Sequence, residues 1–412
     1  PLIVVPAVVL AVALVALFVR VPAAVPVAIL LAAPFRVPLD VGAQRVFLLV
    51  PLYGVLAAGA VALAVRLARA GDLRAPPRVV ALPVAAFVVL ASLSVLWADE
   101  FRTAGIDLVF FALPFAVLFA LVFHAPLARW TLPALAAAFV GLGTVFAVVG
   151  LAQLWTKSLP LAPDIEVANA YTSYTRVTSL FSDPSIYGRH LALALVLVVV
   201  LLWAGRLGIG AGAALMAVLV AGLVVSYSQS SMLALFAAVV VVSFVAADRA
   251  VRRLLIAAAV AGAVLSLAVV AVAARDESLR RVTSGRSDLV ANTAAVVADH
   301  PVLGVGIGGE ERASRAEAER RGSLAKPSHT TPLTVAAELG IVGLVAYGAF
   351  LYGAGAIVLR ARARDPVAGL ALGGALVALV VHSLFYSGFF EDPLTWFVLA
   401  LAASLVVRPP PA

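Results

Sequence analysis

The sequence predicts an all-α, polytopic membrane protein. Of the 412 residues, 64% are hydrophobic and 12% are charged, with a mean hydropathy of +1.12, whereas soluble domains are nearer half apolar and a quarter charged. Apolar stretches of about 20 residues, enough to cross a bilayer as a helix, recur along the chain. The ~10-residue alternation of membrane β-strands is not seen, and open sheet edges are not tolerated in lipid.

We therefore expect one integral membrane domain over residues 1–412, a transmembrane helical bundle of about 12–13 spans. The second candidate contains Pro22 and Pro26 and is also compatible with a half-span. The N-terminal residues have no charged region and no small-residue cleavage site, so no signal peptide is predicted. The candidate spans are 2–19, 21–35, 44–66, 79–97, 104–123, 130–154, 188–204, 208–226, 230–247, 253–274, 331–358, 366–386 and 393–407.

The charge of the short loops predicts the orientation of the bundle. Arginine-rich loops mark the cytoplasmic side of a membrane protein, and three such loops occur, at 66–78, 248–253 and 360–365. The loops with little or no net positive charge are predicted to be external, at 97–103, 226–231 and 387–392. Alternation from these anchors places the hydrophilic loop 156–187 and the longer loop 275–329, which contains short helices, on the same extracytoplasmic face. The side of the N-terminus stays open, because it depends on whether both early spans cross.

Composition excludes several classes of site. The chain has no cysteine, so disulfides, thiolate chemistry and cysteine-based metal sites are excluded. The net charge of +8 is almost entirely arginine in short loops, which membrane topology explains without nucleic-acid binding. No HExxH zinc motif and no GxSxG nucleophile motif is present. We therefore expect no metal and no cofactor.

The segment LFSDPSIYGRHLALAL (180–195) combines a helix start with two cationic residues. Asp183 or Ser185 is suited to cap the helix, and Pro184 suits its first turn. Arg189 and His190 then enter the apolar span. A helix N-terminus attracts anions, and a guanidinium adds a bidentate phosphate ligand. An interfacial arginine that reaches the lipid headgroups is the alternative.

Two further segments on the predicted outer face are polar. VSYSQSSMLAL (225–235) is compatible with a capped turn, or with Gln229 binding a sugar hydroxyl or a phosphate. In the segment 280–309, Arg286 begins an amphipathic stretch that predicts a short helix along the membrane surface, ended by His300-Pro301. Arg286 is also compatible with a plain surface charge. The following GVGIGG lacks the GK[ST] of a P-loop and predicts a tight turn with close backbone packing.

The segment SHTTPLTVAAELG (328–340) begins a membrane helix with a histidine and places a carboxylate inside it. Thr330, Thr334 and Glu338 share one helix face, and polar groups in a membrane helix face the bundle interior or a water-filled cavity. A neutral imidazole can accept a proton near neutrality, so His329 is a candidate general base, with a structural histidine as the alternative. Glu338 is compatible with a structural partner that orients arginines or holds a loop.

In this order and spacing, the segments resemble the O-antigen ligase and O-antigen polymerase superfamily, over about residues 80 to 400. These are bacterial membrane glycosyltransferases. The resemblance implies transfer of a glycan from a polyprenyl-diphosphate carrier to an acceptor sugar hydroxyl, on the outer face of the cytoplasmic (inner) membrane, with inversion and without metal or nucleotide. Its partners would be the lipid-linked donor, a glycan or glycolipid acceptor and the bilayer.

The resemblance also assigns roles to residues. Arg189 and Arg286 would bind the diphosphate, and His329 would be the catalytic base. Glu338 would support the site, with Gln229 and Asp183, and the loop 275–329 would cover it. One departure is Gln229, where many relatives carry an arginine that Arg176, Arg280 or Arg281 would have to replace. Another is the threonine after His329, where asparagine is common.

Three functions remain in view at this point. The leading hypothesis is a ligase-like glycosyltransferase, and a polymerase of the same superfamily is the first alternative. A transporter or flippase for lipid-linked glycans would account for buried arginines without a base, but no internal repeat is visible. An assembly protein that uses the long loop for docking would tolerate replacement of His329.

Overall fold

The computed structural model describes residues 4–41, 44–70, 74–246, 252, 286–322 and 330–407. Within these ranges the chain is helical except for loops and one two-stranded hairpin. The predicted all-α polytopic fold class is confirmed.

The first two candidate spans form one sharply bent pair of helices. Helix α1 (Val4–Arg20) and helix α2 (Val25–Ala32) are joined by a 3₁₀ turn at Pro22–Ala24, and the chain turns by 114° between them. Proline suits a first helical turn but cannot continue a helix from within, which explains the break. Because α2 has eight residues, it is too short to cross a bilayer by itself.

An antiparallel hairpin follows α2. Strand β1 (Val37–Val41) pairs with β2 (Gln44–Leu48), with Val37 opposite Leu48. The predicted start of the third span at residue 44 is therefore wrong, since helix α3 begins at Val50. The apolar residues of β2 continue into the hydropathy of α3, and hydropathy does not separate a strand from a helix in so short a segment.

The other helices follow in chain order. Helices α5 and α6 are joined by a π-helical turn at Leu108–Ala112, so Phe101–His124 forms one membrane-length segment. The bounds are α3 Val50–Ala70, α4 Arg78–Ser94, α5 Phe101–Asp107, α6 Leu113–His124, α7 Thr131–Thr156, α8 Pro163–Asn169, α9 Pro184–Trp203, α10 Ile209–Val225, α11 Gln229–Ala246, α12 Arg286–Asp299, α13 Glu310–Arg321, α14 Thr331–Arg364, α15 Pro366–Ser383 and α16 Pro393–Val407.

Eight helices of the described chain are long and apolar enough to cross a membrane, or up to nine if the bent α1–α2 pair counts as one span. Helices α10 and α16 are apolar but shorter. The predicted span 253–274 lies outside the described residues.

Helices α9 and α16 form the centre of the bundle. Helix α9 packs against α7, α10, α11 and α15, and 72% of the residues in its apolar 18-residue stretch are buried. Helix α16 packs against α6, α14 and α15 and buries every residue from Pro393 to Leu405. A helix that is apolar all round belongs inside a bundle, so polar groups at the ends of these two helices are held in place by their neighbours.

Three short helices lie in the hydrophilic loops. Helix α8 lies in 156–187, and α12 and α13 lie in the described part of 275–329. The predicted amphipathic helix is confirmed: Leu289, Thr293 and Val296 of α12 are buried, although Val290 is 43% exposed. Helix α12 packs on α13 and on the start of the long helix α14.

Helix α14 is interrupted at Gly340, where φ is 60° and ψ is −156°. L-residues rarely adopt this backbone conformation, and a Cβ at this position would lie 2.2 Å from the carbonyl oxygen of Val302. The kink allows the loop that follows α12 to pack against α14, with the Ile341 amide donating to the Pro301 carbonyl at 2.9 Å. The first turns of α14, Thr331–Leu339, thus diverge from the rest of the helix.

Candidate functional site

The loops predicted to be external meet at one end of the bundle. The Asp99 amide donates to the Val305 carbonyl at 3.2 Å, and the Ile307 amide donates to the Ser94 hydroxyl at 3.1 Å. Arg312 of α13 forms an ion pair with Glu100. The arginine-rich loops lie at the other end, where the Arg362 guanidinium donates to the Val245 carbonyl at 3.5 Å.

A buried ion pair joins the starts of the two central helices. The Nε atom of Arg189, in the second turn of α9, lies 2.9 Å from Oδ2 of Asp392, and both side chains are almost fully buried. The other oxygen of Asp392 accepts the Leu394 amide at 2.9 Å and caps α16. The ion pair uses Nε, one of the three nitrogen atoms of the guanidinium.

The start of α9 is organised as the sequence predicted. Asp183 accepts the Ser185 amide at 2.6 Å and caps the helix. His190 donates through Nδ1 to the Ile186 carbonyl at 2.8 Å and packs among the rings of Phe146 and Phe181. Asp183 therefore has a structural role at the helix start, and His190 is enclosed by aromatic side chains.

The serine-rich turn, residues 226–231, packs directly on the start of α9. The Ser231 hydroxyl donates to the Ser185 carbonyl at 3.2 Å and is 2.8 Å from the Ser228 hydroxyl. Ser230 is 3.3 Å from Nε2 of His382, at the end of α15. Gly188 makes this contact possible, since a Cβ there would lie 2.8 Å from the Ser231 hydroxyl oxygen.

A second arginine acts on the same region from a distant part of the chain. Arg36, half-buried between α2 and the hairpin, acts electrostatically on Glu391 and Tyr386 in the loop before α16. Burial raises the pKa of Tyr386. Desolvation raises the pKa of Glu391, and the charges of Arg36 and Arg189 oppose this rise. We refer to Arg36 and Arg189 as the arginine site.

Next to the arginine site, the described residues enclose a cavity of about 290 Å³. Its walls come from α4, α5 and the π-helical turn after it, the loop before α13 and the start of α13, the start of α14 and the segment 387–396. Aromatic side chains line one part, among them Phe87, Phe390 and Trp396. We refer to it as the acidic cavity because five carboxylates line it: Asp107, Glu310, Glu311, Glu338 and Glu391. Among the described residues, no group of three His, Asp or Glu side chains is arranged to hold a metal ion.

Three of the five carboxylates are already engaged. Glu310 accepts the Thr293 and Ser314 hydroxyls, and Glu311 pairs with Arg315. Oε1 of Glu338 accepts the Gly308 amide at 2.9 Å, and its backbone carbonyl accepts the Gly306 amide at 2.8 Å. Glu338 thus holds the glycine-rich loop, which packs closely on the backbone of α14 as the sequence predicted.

Of the site residues predicted from the sequence, some lie at the arginine site or the acidic cavity, and others lie elsewhere or outside the described residues. Asp183 and Arg189 lie at the start of α9, and Glu338 lines the acidic cavity with Thr334. Gln229 is exposed at the first residue of α11. His329 lies outside the described residues, as do Arg280 and Arg281. Arg286 begins α12, but its side chain is outside the described part of the structure. Arg176 is half-buried in the loop before α9. Its backbone carbonyl accepts from Nδ2 of Asn169, and its backbone amide donates to Oδ1 of the same residue.

The sequence analysis did not predict Arg36, Asp107 or His382 as site residues, whereas Asp392, paired with Glu391 on a predicted outer turn, is compatible with a helix cap or with a cation ligand. For Asp392 a signal existed: an acidic residue directly before Pro393 is typical of a helix N-cap. Asp107 also stands inside an apolar segment, where a charged residue is costly and usually functional. Nothing local in the sequence marks Arg36 or His382, because their role depends on residues far away in the chain.

The family model described as O-antigen ligase matches residues 211–348, roughly a third of the chain. The match begins in α10, ends in α14, and includes Gln229, Arg286, His329 and Glu338. Among curated proteins, no match to the chain was found. The match confirms the resemblance of this chain to the O-antigen ligase and polymerase superfamily of membrane glycosyltransferases.

Proposed function

We propose that this protein transfers a glycan from a polyprenyl-diphosphate carrier to a sugar hydroxyl, at the extracytoplasmic face of a bacterial cytoplasmic membrane. The observation that carries the proposal is the arginine site beside the acidic cavity, at the end of the bundle where α14 begins. Two environments of opposite charge lie next to each other there. A diphosphate and a sugar acceptor have the corresponding chemistry.

The donor end of the site is assigned to Arg189, supported by Arg36 and, in this proposal, by Arg286. The anomeric carbon–oxygen bond to the diphosphate breaks during transfer, and negative charge develops on the leaving phosphoryl oxygen. Fixed guanidinium groups in a site with little water stabilise that charge more strongly than water does. Asp392 holds Arg189 in position through the 2.9 Å contact with Nε.

His329 is assigned as the general base. It precedes Thr331 by two residues, and Thr331 lines the acidic cavity. The imidazole takes the proton of the acceptor hydroxyl while the hydroxyl oxygen attacks the anomeric carbon. The polyprenyl diphosphate leaves on the opposite side, so the anomeric configuration inverts.

The arrangement favours an enzyme over a transporter. The arginine site and the acidic cavity lie at one end of the bundle, whereas transporters bind their substrates near the middle of the membrane, at discontinuous helices. We assign the protein to the ligase type, with a polymerase of the same superfamily as the alternative. The two differ in the acceptor, a lipid-anchored core glycan or a second lipid-linked repeat.

The test uses the full chain in nanodiscs with a polyprenyl-diphosphate oligosaccharide and candidate acceptors, the donor itself included. Glycan transfer and free polyprenyl diphosphate are measured with EDTA present. We expect His329→Ala to slow transfer by about 10²–10⁴-fold, the usual contribution of a general base. The matched control is His300→Ala, which removes an exposed histidine of the same loop and should leave transfer unchanged.

Each result has a clear meaning. Transfer that survives in His329→Ala would overturn the catalytic role of His329. Loss of all transfer in EDTA would overturn the metal-independent mechanism. Movement of the lipid across the bilayer without transfer would overturn the enzyme assignment in favour of a flippase. The acceptor used by the wild type separates ligase from polymerase.

A further inference from the structure

The acidic cavity is large enough to hold a small ligand. Its volume of about 290 Å³ is near the lower limit of about 300 Å³ for small-molecule pockets. It therefore has room for one sugar ring rather than for a long oligosaccharide. Walls that combine aromatic rings with carboxylate and hydroxyl groups match the two kinds of surface on a sugar, its apolar C–H face and its hydroxyls.

One buried group in the wall is left without a partner. Thr331 is 3% exposed and lines the cavity, and among the described residues its hydroxyl has no hydrogen-bond partner. A buried polar group without a partner is energetically unfavourable. A ligand hydroxyl in the cavity would supply the missing hydrogen bond.

Two carboxylates are similarly available. In the described part of the chain, no hydrogen bond or ion pair engages Asp107 or Glu391, whereas the other three carboxylates have partners. Asp107 and Glu391 lie close enough for their charges to interact. Carboxylate oxygens accept hydrogen bonds from sugar hydroxyls, and no Arg, Lys or His is among the described residues that line the cavity, so the cavity favours ligands that donate hydrogen bonds and disfavours ligands that bring a negative charge.

The position of Glu391 and Asp392 separates the two environments. Glu391 lines the acidic cavity, and the next residue, Asp392, pairs with Arg189. An anionic group is thus attracted to one side of this dipeptide and repelled on the other. Such charge separation gives specificity, because placing like charges next to each other is unfavourable.

We propose that the acidic cavity binds the acceptor sugar and selects one without an acidic group, so that uronic acids are excluded as the residue that receives the glycan. This inference rests on the proposed function for the identity of the bound ring as an acceptor. The carboxylates orient its hydroxyls, Thr331 binds one of them, and the diphosphate remains on the other side of Glu391–Asp392.

The test measures binding of two soluble disaccharides to the full chain in nanodiscs, by saturation-transfer NMR titration. One is a neutral glucose disaccharide, and the other carries glucuronic acid in place of its terminal glucose. We expect the neutral probe to bind at least about tenfold more tightly, which corresponds to a difference of about 1.4 kcal/mol in binding free energy. In the double variant Asp107→Asn and Glu391→Gln, which keeps an oxygen acceptor at each position but removes both charges, this preference should fall below about threefold.

Two matched controls accompany the double variant. Asp164→Asn removes one negative charge from the exposed first turn of α8, outside the cavity, and should leave the preference unchanged. Thr331→Val should weaken binding of the neutral probe about three- to tenfold, the usual range for one hydrogen bond, and Thr331→Ser should restore it. Equal binding of the two probes by the wild type, or an unchanged preference in the double variant, would overturn the proposal.

A second readout separates this inference from the proposed function. Binding of polyprenyl diphosphate is measured on the same variants, and we expect it to be retained. Polyprenyl diphosphate turnover with unselective sugar binding would overturn the cavity assignment and leave the transferase intact. Selective sugar binding without any turnover of donor would overturn the transferase and with it the description of the bound ring as an acceptor.

Discussion

At the scale of single residues, Arg189 and Asp392 form a buried ion pair. Both side chains are nearly fully buried, and either charge would be energetically unfavourable there without its partner. Removing one partner of a buried pair typically costs about 3–5 kcal/mol, because the other charge stays desolvated. An activity lost in a single variant would therefore not by itself reveal whether Arg189 binds substrate.

The double variant Arg189→Met and Asp392→Asn separates the two effects. We expect Arg189→Met alone to lower stability by about 3–5 kcal/mol. The double variant should regain most of that stability, because asparagine still caps α16 and no buried charge is left unpaired. Thermal unfolding and polyprenyl-diphosphate binding are measured on each variant. Wild-type donor binding by the stable double variant would contradict the role of Arg189.

Glu391 makes the stability of the protein depend on pH in a predictable direction. Its pKa is raised by desolvation, with the charges of Arg36 and Arg189 opposing the rise, and Glu391 in turn acts electrostatically on Asp107 and Glu338. A raised pKa means that the folded state binds more protons than the unfolded state above the ordinary glutamate value of about 4.3. Stability should then fall as pH rises from that value through the folded-state pKa.

Glu391→Gln tests this dependence. We expect the melting temperature of the wild type to fall more steeply than that of the variant between about pH 4 and pH 8. Differential scanning fluorimetry in detergent across this range measures both slopes. Parallel curves would show that Glu391 titrates equally in the folded and unfolded states.

At the scale of elements, the contact between α9 and α11 depends on the absence of a side chain at Gly188. The hydroxyls of the serine-rich turn occupy the space that a Cβ would need, 2.8 Å from the Ser231 oxygen. This explains why the helix start that carries Arg189 and the serine-rich turn pack so closely. The serine turn thereby positions α9 and connects it, through Ser230, to His382.

Gly188→Ala should therefore destabilise the protein by about 1–3 kcal/mol through overpacking. Gly348→Ala is the matched control in α14, since a Cβ at Gly348 meets no atom within 4 Å. This control should be neutral or stabilise by up to about 1 kcal/mol, the difference in helix propensity. The free energy of unfolding is compared for the two variants. Equal effects would mean that the α9–α11 contact relaxes without cost.

At the scale of the whole molecule, the bundle has two chemically different ends. The polar motifs and the acidic cavity lie at one end, and the arginine-rich loops lie at the other. The rule that positive loops face the cytoplasm predicts that the cavity end faces the outside. The absence of cysteine from the chain allows a direct test with single introduced thiols.

Tyr171→Cys places a thiol in the loop before α9, where Tyr171 is 87% exposed. Ala363→Cys places one at the exposed end of α14, in the arginine-rich loop. We expect a membrane-impermeant maleimide to label position 171 in intact cells and position 363 only after permeabilisation. The reverse pattern would place the proposed active site in the cytoplasm.

The sequence by itself determined those features that depend on residues close together in the chain. Hydropathy determined the helical membrane class, and capping chemistry determined the start of α9 at Asp183. The amphipathic spacing of α12 was predictable for the same reason. The hairpin was not, because a short apolar strand and the start of an apolar helix have the same hydropathy.

The tertiary structure decided which side chains meet. The tertiary structure pairs Arg189 with Asp392, lets Arg36 act electrostatically on Glu391 and places five carboxylates around one cavity. These residues come from distant parts of the sequence. These contacts depend on how α9, α14 and α16 pack, and packing depends on the shape of whole helix faces rather than on any local pattern. The positions of charged residues are visible in the sequence, but the burial and the partners of each charge are set only when the helices pack together.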